Sequence, residues 1–493
     1  MPTLIPLQIP PGAWRNGTEY QSKGRWHDMN LVRWRNGAMF PVGGWTRYQT
    51  DTFTGIARGC IAWADNSANR WAAWGTADYA YAMDDDGGIT DITPAGLTTG
   101  SVDASTAGGY GALLYGDGTY GTPRPDTGSI TLATSWSWDT FGQIPVTCGD
   151  SDGRLWEWDL NTANNLTAIT NAPTMCDGLV VTQERIIFAL GAGADPRRIE
   201  WCDREARTSW TPSATNQAGG FDLKTDGEIM LGIKARSETL ILTSVDAWQA
   251  QYVGYPDVYS FSRVGSGCGA PGRRVAIKVD GKVLWLGHNG FFSYEAGYVR
   301  RLPCDVWDFF QEDLSTLQAS KVYGWLNHQH DEVWWCYPSD SSNECDSYIA
   351  FNYVEGTWSF GHMPVSSMIQ QGVFSTPLGL HTDTKVYQHE NGYEHGSETP
   401  FCESGPFEIA VGDRRAHAVR LIPDESTLGD VTATFKTREY PTATETSHGP
   451  YTLTEPTSVR FSGRQLVLRV DPSGSSDWRW GVPRLELARG GRR

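Results

Sequence analysis

DEVWWCYPSDSSNECDSYIAFNYVEGTWSF, residues 331–360, holds two apolar runs parted by a polar turn and ends close to a tryptophan. In VWWCY the apolar residues are consecutive and not alternate, so a strand made of them is covered on both faces. The same order of apolar or aromatic strand, Gly/Asp/Asn turn, second strand and closing Trp or Pro recurs in NRWAAWGTADYAYAMDDDGGITDITP (69–94) and ERIIFALGAGADPRRIEWCDREARTSWTP (184–212). It returns in GKVLWLGHNGFFSYEAGYVRRLP (281–303) and TKVYQHENGYEHG (384–396). Corresponding strands are spaced by roughly 45–55 residues, close to the repeat of a four-stranded propeller blade. A single small antiparallel sheet cannot bury its own faces, whereas several arranged radially bury one another. The chain is therefore expected to be all-β, with a six-bladed β-propeller over residues 51–400.

Composition agrees with strands: 55 Gly, 22 Trp, 20 Tyr and 17 Phe supply turns and half-buried pleated surfaces. The best helical spacing lies in 305–319, through Val306, Phe309, Phe310, Leu314 and Leu317. Residues 1–50 are punctuated by Pro and Gly and contain RWHDMNLVRWRNG, which predicts an extended basic arm. Here Arg25, Arg33 and Arg35 interleave with Trp26 and Trp34, a candidate assembly interface that could pair with carboxylates and stack on another subunit. The competing expectation is a strand packed on its own propeller. Residues 401–493 alternate cleanly in DVTATFKTREY and RQLVLRVD, which predicts a C-terminal β-sandwich. An insertion at 95–135, rich in Gly, Thr and Tyr, has too little apolar content for a core of its own. Its Tyr110, Tyr115 and Tyr120 are candidates for a gate loop that closes an opening or a tip loop that meets another surface.

Net charge is −17, yet residues 1–50 hold six Lys/Arg against two Asp/Glu, and 401–493 hold thirteen against twelve. The acidic excess thus sits in the propeller region, which lacks the basic stripe of a duplex-gripping protein. No apolar run approaches the length of a membrane span, and MPTLIPLQIPPGAW has no basic region ahead of its apolar residues. The nine Cys are scattered without a CxxC pair, which fits assembly in a reducing cytoplasm.

Chemical motifs are weak. Asp84, Asp85 and Asp86 lack the alternating spacing of a calcium loop, and a hairpin turn is preferred. His328, His330, Asp331 and Glu332 could set two imidazoles on one strand face, but no further metal ligand follows. VGSGCGAPG (264–272) lacks the GK[ST] ending of a phosphate loop and reads as a crossover between blades, with Cys268 a buried thiol. Trp334, Trp335 and Trp358 are candidates for a sugar platform or for blade packing. No catalytic, cofactor or metal residues emerge, and a non-enzymatic chain is expected.

The chain resembles the tail nozzle proteins of podophages, the tail tubular protein B family, and more remotely the packaged-DNA stabilisation proteins of short-tailed phages. The resemblance covers nearly the whole chain and rests on NGTEYQSKGRWHDMNLVRWRNG with PVGGW, GYGALLYGDGTYG, and DPRRIEWCDREARTSWTPSATNQAGGFDL. It continues in VGSGCGAPG with VLWLGHNGFFSY, TFKTREYPTATETSHGPYTL and WRWGVPRLELARGGRR. It implies a virion protein of the tail, assembled in the host cytoplasm as a homohexameric ring below the tail adaptor ring. Tail fibre or needle proteins are further partners, and double-stranded DNA passes without sequence-specific binding. It implies no cofactor and no membrane insertion. The alternative is a glycan-binding or glycan-cleaving propeller.

Overall fold

The computed structural model describes residues 3–106, 130–410 and 414–492. Seven four-stranded antiparallel sheets follow one another along the chain. Blade I consists of Cys60–Ala64, Arg70–Gly75, Ala80–Met83 and Ile89–Asp91, and blade II of Trp136–Phe141, Ile144–Gly149, Leu155–Glu157 and Thr167–Ala168. Blade III is Gly178–Val181, Ile187–Leu190, Arg198–Trp201 and Gly219–Asp222; blade IV is Ile229–Lys234, Thr239–Thr243, Asp246–Gly254 and Val258–Ser266. Blade V is Ala276–Val279, Lys282–Gly287, Gly290–Glu295 and Tyr298–Leu302; blade VI is Tyr323–Asn327, Glu332–Pro338, Cys345–Asn352 and Thr357–His362. Blade VII takes Val365–Ile369, Leu378–His381 and Lys385–His389 from late in the chain and Trp45–Thr52 from its beginning.

The first strand of blades I to VI, and Val365–Ile369 of blade VII, is innermost, and each touches its two neighbours around the ring, blade VII against blade I included. The propeller is therefore closed and has seven blades, a correction to the expected six. The undercount has a physical cause: the outer strand of blade VII is remote in sequence, and the last strand of blade II is only Thr167–Ala168. The runs that read as doubly covered are so, since every residue of Glu332–Pro338 is buried. Blades approach closely where glycine permits: a Cβ on Gly75 would lie 2.3 Å from the ring of Trp136 in blade II.

The C-terminal residues form a β-sandwich. One sheet runs Thr3–Pro6, Arg484–Arg492, Arg414–Ile422, Thr457–Gly463; the other runs Trp26–Asn30, Phe401–Ser404, Gln465–Pro472, Val431–Arg438, Thr446–Thr452. Alternation of buried and less buried residues along Val431–Arg438 gives one face to the core. The arm thus edges both sandwich sheets, makes a hairpin of Val32–Arg35 with Ala38–Pro41, and then closes blade VII. A single apolar cluster joins Leu7, Trp26 and Trp34 of the arm to blade residues such as Trp335 and to Phe435 of the sandwich. The expected helix is one short segment, Trp307–Asp313, because Leu314 turns extended and pairs with Ser339.

Candidate functional site

The arm hairpin sits where propeller and sandwich meet, and its chemistry centres on Arg33, which is 5% exposed. Arg33 donates from both terminal nitrogens to Glu390, at 3.0 and 2.6 Å, and its Nε lies 3.3 Å from Glu332. Glu390 also accepts from Asn327 Nδ2 at 2.7 Å and the Gly43 amide at 3.0 Å, and His330 Nε2 lies 3.5 Å away. Burial pushes the Glu390 carboxyl up, but the Arg33 charge and the bonds from His330 and Arg33 outweigh it and hold it well below the usual carboxylate range. Burial pushes Glu332 up despite Arg33, so of two carboxyls around one guanidinium Glu332 is the one that takes a proton more readily. A cavity of about 440 Å3 opens beside this cluster, lined by Arg33, Arg35, His330, Tyr393, Asp477 and Arg479.

Of the two placements expected for the basic motif, on another subunit or against the chain's own propeller, most of its side chains take the second. Trp26, Arg33 and Trp34 are buried inside the chain, with Trp26 and Trp34 in the shared core. Arg25 is partly buried with Nη2 3.6 Å from Asp305, and Arg35 alone of the five is exposed. The motif is an interface, but one within the chain. Tyr110, Tyr115 and Tyr120 lie outside the described residues. The insertion's described ends pair as Ser105–Thr106 with Ile130–Thr131. They are tied to the propeller by Arg58 on the Val102 carbonyl at 2.9 Å and by two bonds between Gln318 and Ala104 at 2.9 and 3.0 Å.

The other motifs resolve locally. Asp84 caps a hairpin turn, accepting from Gly88 N at 2.8 Å. His328 is exposed, and with His330 it lies in the turn after Tyr323–Asn327 and not on one strand face. Among the described residues no group of three or more His, Cys, Asp or Glu could hold a metal ion. Residues 264–272 cross from blade IV to blade V, the Cys268 carbonyl accepts from Trp285 Nε1 at 2.8 Å, and burial pushes the Cys268 thiol up to about 11. Trp334, Trp335 and Trp358 are all within the core and present no platform.

No family model matches the chain, and no curated protein matches it. Solved structures similar to it include virginiamycin B lyase from Staphylococcus aureus, at 8% identity over 71% of this chain and 99% of that one, TM-score 0.41. A streptogramin B lyase gives 9% identity over 70% of this chain and 96% of that one, TM-score 0.41. Exo-beta-1,3-galactanase from Phanerochaete chrysosporium gives 10% identity over 90% of this chain and 100% of that one, TM-score 0.32. These likenesses concern the fold. The named neighbours are enzymes, so the expectation of a non-enzymatic chain is set aside, and likeness of fold alone assigns this chain no activity.

Sequence reasoning missed Glu390 as the partner of Arg33, and missed the cations Arg58, Arg273, Arg274 and Lys321 near the propeller axis. The only signal for the latter was the pair of arginines directly after the blade crossover in APGRR.

Proposed function

We propose that the chain is a ring subunit of the tail nozzle of a short-tailed phage and walls the channel through which the genome leaves. The observation that carries the reading is the interlock of arm, propeller and sandwich: the arm supplies edge strands to both sandwich sheets and the last strand of blade VII. A subunit that walls a channel under load is served by parts that cannot swing apart, and here three separate strand pairings hold them. The whole-chain resemblance of its motifs to podophage nozzle proteins supports the same reading. The axial cavity of the propeller is about 250 Å3, far too small to pass a duplex, so the channel would run between copies. With a net charge of −17 per copy, such a wall offers phosphates few places to bind. A cryo-EM map of the purified virion should place the chain in a ring at the distal tail, and its absence from virions would defeat the proposal. A glycan-binding or glycan-cleaving propeller is the second reading, supported by aromatic content and now without Trp334, Trp335 and Trp358 as a platform. Binding or cleavage of host surface polysaccharide by the isolated chain would favour it.

A further inference from the structure

The innermost strands of all seven blades enclose the cavity of about 250 Å3 on the propeller axis, lined on its aromatic side by Trp136, Trp138 and Tyr323. Four cations gather near its mouth, and three of them have carboxylate partners. Arg58 binds Glu344 through two bonds of 2.8 and 2.5 Å. Lys321 reaches Asp103 at 2.5 Å and Glu344 at 3.1 Å. Arg273 lies 3.1 Å from Asp177 and 3.4 Å from Asp150.

Arg274 differs. Its bonds go to neutral oxygens, Ser367 Oγ at 2.7 Å and the carbonyls of Lys321 and Ser366 at 3.2 and 3.5 Å, and its guanidinium stands 5.2 Å from the centre of the Tyr323 ring. Among the described residues it forms no ion pair, and its Nε has no hydrogen-bond partner. Burial lowers its affinity for the proton, a direction that the nearby Arg58 charge reinforces. A buried guanidinium without a counter-charge is costly unless something supplies one. Of the other cavity-lining side chains, Trp138 has a buried indole Nε1 without a hydrogen-bond partner among the described residues, whereas Arg273 Nε lies 3.4 Å from Asp150. Arg274 Nε and Trp138 Nε1 are N–H donors, and Arg274 is, among the described residues, the one cation of the four without its own carboxylate, so a ligand here is one that accepts hydrogen bonds.

We propose that the axial cavity holds a small oxyanion, a carboxylate or a phosphate, bound by the Arg274 guanidinium with the Trp138 indole N–H as second donor. The volume lies below the usual range for drug-sized ligands, about 300–1,000 Å3, which excludes a nucleotide or an oligosaccharide. Trp138 belongs to blade II and Arg274 directly precedes blade V, so the anion would tie opposite parts of the ring and stabilise the closed propeller by linkage.

The test uses the full chain, dialysed into sodium chloride and titrated calorimetrically with sodium phosphate and, separately, with sodium acetate at constant ionic strength. A saturable heat with one site per chain is expected from at least one of the two, and which one identifies the oxyanion. Thermal unfolding should shift upward over the same concentrations. Non-specific stabilisation by an excluded salt would not saturate and would not depend on residue 274. Arg274→Gln should abolish the heat, and Trp138→Phe, which removes one N–H and keeps the ring system's apolar contact, should weaken binding about tenfold. No saturable heat with either salt overturns the proposal, as does the same affinity in wild type and Arg274→Gln. Should Arg274→Gln fail to fold, an unchanged affinity in Trp138→Phe overturns it alone.

Discussion

Arg33 and Arg35 are two residues apart, and the sequence presents them as equals. In the folded chain they are opposites: one is enclosed by Glu332 and Glu390, the other exposed. Arg33→Ala should cost about 3–5 kcal/mol in chemical denaturation, since it leaves buried carboxylates without their partner. Arg35→Ala should stay within about 0.5 kcal/mol. The guanidinium and indole content of the arm was readable as a binding surface, but its partner was not, because Glu390 lies 357 residues away and only the closed fold brings it there. A second residue-scale device is the buried pair His381 and His389, whose Nε2 atoms are 2.8 Å apart, so at least one ring is neutral. Burial pushes His381 down to about 3, helped by Lys385, and holds His389 well below the usual imidazole range, with His381 and His395 adding to it and Glu390 opposing. Below the unfolded value of 6.5 the unfolded chain therefore takes up protons that the folded chain refuses. The stabilisation is whole above 6.5 and is lost as pH falls toward 3, by about 2 kcal/mol per imidazole at pH 5. Double replacement by Phe should flatten this part of the pH–stability curve between pH 7 and 5; an unchanged slope would show that the pair does not set it.

Trp45–Thr52 is the strand on which ring closure depends. It pairs with Lys385–His389, and Trp45 stacks on the His389 ring at 5.4 Å. A chain starting at residue 45 loses the sandwich edges but keeps blade VII complete. A chain starting at residue 53 loses both, and hydrogen exchange should then accelerate sharply in Lys385–His389, whereas the first truncation should leave that strand protected. At this scale much was legible: strands buried on both faces appear as unbroken apolar runs, and sandwich strands such as Val431–Arg438 as alternation. What was not legible was the completion of sheets by distant segments. Hydrophobic period identifies a strand without naming its neighbour, and so the arm's strands looked like an extended tail and the seventh blade went uncounted.

For the whole molecule, the acidic excess lies in the propeller and the arm is spent on internal contacts. Ring formation by nozzle subunits would then rest on propeller and sandwich surfaces, and Arg35→Ala should leave rings intact in negative-stain images, whereas Arg33→Ala should reduce them in proportion to its loss of folded chain. The closure of blade VII also has a bearing on synthesis at the ribosome. The strand that seals the propeller leaves the exit tunnel well before its partner, Lys385–His389, which is made over 300 residues later. At roughly 5–20 residues per second this is a wait of some tens of seconds, during which Trp45–Thr52 is an unpaired edge. The same holds for Thr3–Pro6, whose partner Arg484–Arg492 is made over 470 residues later. Nascent chains of this protein should accordingly be clients of holding chaperones until these partners emerge, and the folded chain then has its early and late segments locked to each other.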